Sequence, residues 1–172
     1  MPAFTAPGIG ILRRTPEIVG WLVADLDEAG SLWKPAPGRW CVLEVVGHLA
    51  DVEARSRGRA AALMTESNPL LAIIDPDHDA AAGLYTARPL RAALDAFAAE
   101  REESLRLLER VREEDLARAG VHAEYGPVTL GQFLNEWPLH DLGHVRQIAE
   151  LVRAHRYYPR IGPWGRIYRL SP

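Results

Sequence analysis

The run from Thr129 to Leu151 constrains this chain more than any other stretch. It opens on Thr129-Leu130-Gly131-Gln132, a Thr-x-x-Gln capping box. An apolar stripe then runs through Leu130, Leu134, Trp137, Asp141, His144, Ile148 and Leu151. That spacing predicts a long amphipathic helix. At about 100° per residue, His140 and His144 fall one turn apart on one face, on or beside the buried stripe, where both imidazoles can reach a single ion. Pro138 removes the bond to the carbonyl of Leu134 and is expected to bend the helix beside that pair.

Three further helical patterns precede this one, and almost nothing reads as a strand. Thr15 is placed to cap a first helix with Pro16 at its opening position and Ile18, Leu22 and Leu26 as its apolar stripe, ending at Gly30. A second helix begins near Trp40 and carries Val45, Val46, Leu49, Val52 and Leu63 toward residue 66. Cys41 stands where a Ser or Thr cap would be usual. The third opens on Pro89 and keeps helical spacing through Leu90, Leu94, Phe97, Leu105 and Leu108 to about Arg112. Between them, Ser67 to Thr86 is irregular and long for a bundle connection, which suggests that it covers something.

Four amphipathic helices in 172 residues argue for an all-α, single-domain four-helix bundle. Its core would span about 12–155, and an aromatic and basic tail, 156–172, would lie along it. His48, on the second helix, supplies a third imidazole, so the expected metal site lies between helices two and four. Three protein ligands leave coordination positions open, the arrangement of a catalytic site. No Glu has a His three positions later, which excludes the carboxylate-bridged di-iron bundle. Three neutral imidazoles suit a divalent ion, with zinc or nickel expected. His78, His122 and His155 sit in or beside loops, although His122 could line the mouth of a pocket.

Several carboxylates accompany these ligands. Asp141 follows His140 and is placed to orient a ligating ring, whereas Glu44 and Asp51 bracket His48 at minus four and plus three as candidate general bases. Gln147 lies one turn beyond His144. Arg57 or Arg59 could turn inward toward an anionic ligand. The run His140-Asp141-Leu142-Gly143-His144 also approaches the His-Glu-x-x-His pattern of zinc peptidases, with a shorter carboxylate and with Gln147 and Glu150 where the longer signature needs Gly and His.

Other classes are excluded or disfavoured. Lone Cys41 rules out an intrachain disulfide or a CxxC pair, and no stretch approaches the ~20 apolar residues of a membrane span. The N-terminal residues 1–8 lack the pattern of a secretory leader, so a cytoplasmic location is expected. A net charge of -3 gives no general attraction to nucleic acid. Asp75-Pro76-Asp77-His78-Asp79 begins like a calcium loop but has Ala80 in place of the glycine.

Three segments together resemble the DinB superfamily: Trp40 to Glu53 with His48, the loop Gly120 to Leu130, and His140-Asp141-Leu142-Gly143-His144-Val145-Arg146-Gln147-Ile148. The resemblance covers most of residues 12–155. It implies a four-helix bundle with a divalent metal, commonly zinc or nickel, on the residues matching His48, His140 and His144. It also implies thiol-dependent enzymes, such as mycothiol-dependent maleylpyruvate isomerase and bacillithiol transferases, or metal-dependent hydrolases, and a homodimer. The expected function is therefore activation of water or a low-molecular-weight thiol against a small electrophilic substrate. The alternative is a non-catalytic metal-binding bundle acting as a sensor or stress-response protein.

Overall fold

The computed structural model describes residues 5–170; residues 1–4 of the N-terminal run and the last two residues of the tail lie outside it. Among the described residues six α-helices appear in chain order: α1 (Ile9–Val23), α2 (Glu28–Leu32), α3 (Val42–Thr65), α4 (Pro76–Ala81), α5 (Leu90–Leu108) and α6 (Leu130–Val152). The four long ones, α1, α3, α5 and α6, make a mostly helical four-helix bundle. Packing runs round the bundle in the order α1, α5, α3, α6 and back to α1, so helices adjacent in this square are often not successive in sequence. Two buried clusters fill the interior. Val19, Val45, Val46, Phe97 and Ile148 lie at one end, and Leu12, Leu63, Leu108, Leu134 and Trp137 at the other.

The first helix departs from the expected reading. It starts at Ile9, six residues before Thr15, and buries Leu12, Thr15, Val19 and Val23 while leaving Ile18 exposed. Thr15 is an interior residue whose hydroxyl donates to the Ile11 carbonyl, 3.0 Å away. Pro16 therefore sits inside the helix, not at its start. Proline has no N–H, so the carbonyl four residues back is left without its helical donor. That carbonyl belongs to Leu12, and Arg101 of α5 donates to it from Nη1 at 2.7 Å. A buried guanidinium thus completes α1 where its own backbone cannot.

A small sheet, which the sequence patterns did not suggest, closes one side. β1 (Leu70–Leu71) runs parallel to β2 (Ala119–His122), which pairs antiparallel with β3 (Gly126–Thr129), His122 opposite Gly126. Strands of two to four residues with Gly120 and Pro127 in them have no legible alternation. Pro127 is tolerated because β3 is an edge strand. Gly126, with φ of 79°, takes the left-handed position that ends the hairpin loop.

Helix α6 begins as expected. Thr129 Oγ1 accepts from Gln132 N at 3.2 Å, and Gln132 Oε1 accepts from Thr129 N at 2.9 Å. It continues through Pro138 as one element to Val152, followed by a π turn at Arg153–Tyr157. In the tail, Arg156 Nη1 bonds to the Asp25 carbonyl at 2.8 Å, while Trp164 and Tyr168 remain exposed.

Candidate metal centre

Three imidazoles converge between α3 and α6. His48 Nε2 lies 3.1 Å from His140 Nε2, and His144 Nε2 lies 3.1 Å from the same atom. All three ligand-capable atoms fall within 4.8 Å of one another. The four-residue step in α6 supplies two of them. The third is buried on the facing helix, and its position depends on a glycine: a Cβ on Gly47 would stand 2.2 Å from the Tyr85 carbonyl oxygen. Without a side chain there, the turn at Leu84–Thr86 packs directly on α3, and the Tyr85 hydroxyl comes 3.1 Å from His48 Nδ1.

The outer ring nitrogens decide what the inner ones can do. Gln147 Oε1 lies 2.9 Å from His144 Nδ1, and an amide oxygen can only accept, so Nδ1 carries the proton and Nε2 presents a lone pair. The Tyr85 hydroxyl meets His48 at Nδ1, where it can accept the ring's proton, leaving Nε2 inward. Neutral His140 carries at most one proton on Nε2 and can donate it to only one neighbour. At least one of the two 3.1 Å contacts therefore lacks a proton to make it attractive. A cation among the three lone pairs removes that repulsion. Tetrahedral ligand nitrogens at ordinary zinc distances stand about 3.3 Å apart, close to the spacing found. The residues present fit a divalent metal.

Electrostatics keep the rings in their ligating form. Burial, with His144 and His140 beside it, drives the His48 pKa down to about 2. Burial and His144 bring His140 down to about 4, against the pull of Asp141. His144 is lowered by burial, with Gln147 and Asp141 opposing. Because these rings stay neutral when folded but protonate near 6.5 when unfolded, the unfolded chain binds more protons between those values. The metal-free protein should therefore lose stability as pH falls below 6.5 and continue to lose it toward 4. Urea midpoints across that window would show the decline, and a flat profile would contradict the neutral buried cluster.

The three candidate carboxylates lie elsewhere. Glu44 is buried at the start of α3, where Oε2 accepts from Cys41 N at 2.8 Å and Oε1 pairs with Lys34 Nζ at 2.7 Å. It is the carboxylate half of a capping box with Cys41. Burial acts to raise its pKa, but Lys34 and the Cys41 amide hold it below the ordinary carboxylate range. Asp51 pairs with Arg55 at 2.8 Å and, with Gly47 and Tyr85, borders a separate cavity. Asp141 is fully buried, and both of its oxygens accept from Arg101, at 2.7 and 3.0 Å.

Arg101 is the residue least visible in the sequence. All five of its donors are used: two on Glu53 at 2.7 Å each, two on Asp141, and one on the Leu12 carbonyl. Glu53 also accepts from Trp137 Nε1 at 3.1 Å. One side chain of α5 thereby ties α3, α6 and α1 together. Asp141 lies between His140 and His144, so the same contact fixes the rotation of α6 that aims both imidazoles at His48.

A cavity of about 390 Å³ opens above the cluster. Trp40, Val52, Ser56, Ile73, Ile74 and Trp137 line it beside the three histidines, with Arg59, His122, Glu124 and Glu136 as its polar groups. The irregular stretch before α5 thus does cover something: Ile73, Ile74 and Pro76 wall the cavity and Tyr85 braces His48. Glu136 was not among the sequence candidates, yet it precedes His140 by one turn and shares its face. Desolvation, with Asp141, pushes its carboxyl above the ordinary range, and Arg59 pulls it back.

A four-helix bundle with three imidazoles gathered between two of its helices is a recognisable class of metal-binding protein. The chain belongs to the DinB superfamily, whose family description matches residues 11–148. It is similar to two proteins that each carry the name "Putative metal-dependent hydrolase". One is from Oceanobacillus iheyensis, 25% identical over 145 residues, covering 84% of each chain. The other, from Bacillus licheniformis, is 31% identical over 152 residues, covering 86% of this chain and 82% of the relative. Among solved structures it resembles YfiT from Bacillus subtilis, described as "a probable metal-dependent hydrolase with an unusual four-helix bundle topology". That match has a TM-score of 0.78 and 23% identity, and covers 86% of this chain and 85% of YfiT. No helix among the described residues is long and apolar enough to cross a membrane.

Proposed function

We propose that this protein is a metal-dependent hydrolase of small molecules, with His48, His140 and His144 holding zinc or nickel. The observation that carries the reading is the convergence of three Nε2 atoms, two of them 3.1 Å from the third, on the floor of an open cavity. The names borne by the two relatives point the same way. A divalent ion held by three protein ligands supplies Lewis acidity and lowers the pKa of a nucleophile beside it. The chain's own groups do the rest. Gln147 fixes the His144 tautomer, Tyr85 braces the His48 ring, Trp40 and Ile74 limit bulk water, and Glu136 is the carboxylate placed to take the nucleophile's proton on its side-chain oxygen.

Glu136 serves this role better than Glu44, Asp51 or Asp141, because each of those is engaged by a cation and Glu136 faces the cavity. Replacing Glu136 with Gln should lower kcat by about 10²–10⁴-fold while leaving the bound metal in place. The test is turnover of a panel of small esters, amides and lactones by zinc- and nickel-loaded protein, alongside a conjugation assay with low-molecular-weight thiols and alkyl halides. Hydrolysis abolished by chelation supports the reading. Conjugation without hydrolysis would make the nucleophile a thiol, and bound metal with neither reaction would make the protein a non-catalytic binder.

A further inference from the structure

The polar wall of the cavity above the three histidines carries a cation with an incomplete set of partners. Arg59 is half-buried, and Nη2 donates to the Ala72 carbonyl. Its interaction with Glu136 is through space, and among the described residues no carboxylate lies within ion-pair distance of its guanidinium. Burial therefore pulls its pKa below the ordinary arginine value, with Arg55 adding to the effect and Glu136 opposing it. Arg101 is the contrast within the same molecule: an arginine meant to stay structural here has all five donors occupied. Arg59 keeps donors in reserve on a cavity wall.

His122 stands on the same wall with a defined tautomer. Its Nδ1 accepts from the backbone N–H groups of Glu124 and Tyr125, at 3.2 and 3.3 Å, within its own hairpin loop. Tyr125 stacks on the ring with centroids 4.7 Å apart. An Nδ1 lone pair committed to two amides places the proton of the neutral ring on Nε2. His122 is thus a fixed hydrogen-bond donor lining the cavity. Ile73, Ile74 and Trp40 form the apolar part of the lining. Glu124 and Glu136 also border it, but a divalent ion together with Arg59 outweighs their charge.

We propose that this cavity takes a small molecule with an apolar body and a carboxylate, the carboxylate bound by Arg59 and a neighbouring acceptor oxygen by His122 Nε2–H. The inference rests on the hydrolase reading, since it assigns the substrate class of that same site. The experiment is calorimetric titration of zinc-loaded and metal-free protein with hydrocinnamate and with hydrocinnamamide, its neutral counterpart. Hydrocinnamate should bind about tenfold more tightly than the amide, and Arg59→Gln should erase that difference, the acid losing far more affinity than the amide. Equal affinity of the two probes, binding of neither, or a preference that survives Arg59→Gln would overturn the proposal. A surviving preference confined to zinc-loaded protein would put the carboxylate on the ion instead. Metal stoichiometry in the same samples separates the two readings: failure with zinc bound refutes the substrate class alone, whereas failure to bind either zinc or nickel refutes the metal centre.

Discussion

Arg101→Met destabilises the protein by about 3–5 kcal/mol, enough to unfold a domain of ordinary stability. The size follows from what is left behind. Glu53 and Asp141 are each 2% exposed or less and would remain as two buried carboxylates without the four Arg101 donors that now pair with them. The Leu12 carbonyl, already deprived of a helical donor by Pro16, would lose its substitute as well. Chemical unfolding monitored by circular dichroism measures the loss. If the single variant does not fold, Arg101→Met combined with Glu53→Leu and Asp141→Leu keeps the argument testable. Removing all three charges removes the unpaired ones, and such replacements are often neutral or stabilising. Recovery of the fold in the triple variant, against its loss in the single one, identifies the penalty as uncompensated charge. Equal stability of wild type and Arg101→Met would show that the clamp holds nothing.

The same clamp explains what could be read from the chain and what could not. Helices α3, α5 and α6 announced themselves because their apolar stripes repeat over many turns, and the capping box at Thr129 fixed the start of α6 to the residue. His48, His140 and His144 were legible for a chemical reason: paired imidazoles on a buried face have few satisfactory partners other than a metal. Asp141 lay within the α6 stripe, Arg101 follows Phe97 by four residues, and Glu53 follows Leu49 by four. Three charges of complementary sign at core-facing positions of three helices were the available signal for the clamp. Each alone resembles a surface charge beside a stripe, and only the packing of α3, α5 and α6 shows that they meet.

The first helix starts earlier than its local sequence suggests for a related reason. Proline favours the opening position of a helix because its missing N–H is unneeded there. At Pro16 the deficit is met from another helix, and no local rule anticipates a donor 89 residues away in sequence. Nothing in the sequence around Glu136 marks it as more than a helical carboxylate, although it lies one turn before His140 on the same face and borders the same cavity. The sheet and the turn bearing Tyr85 are built from contacts between segments far apart in sequence, such as Leu71 opposite His122. Their short strands carry no period of their own.

His144→Ala separates a ligand from an ordinary buried histidine by moving two stabilities in different directions. In metal-free protein the change removes a desolvated ring from beside two others, so stability should stay level or rise despite the small cavity created. In the presence of zinc or nickel the wild-type protein gains stability by mass action, about 2.7 kcal/mol at a hundredfold excess over Kd. With two imidazoles in place of three, that gain should largely disappear, together with bound metal and turnover. Thermal unfolding of both proteins, with and without metal, supplies the four values required, and elemental analysis gives the occupancy. A core histidine without metal chemistry predicts the opposite pattern: destabilisation of the variant by the same amount in every condition and no effect of metal on either protein. The contrast does not depend on finding a substrate, because it reads directly whether the three lone pairs share a cation.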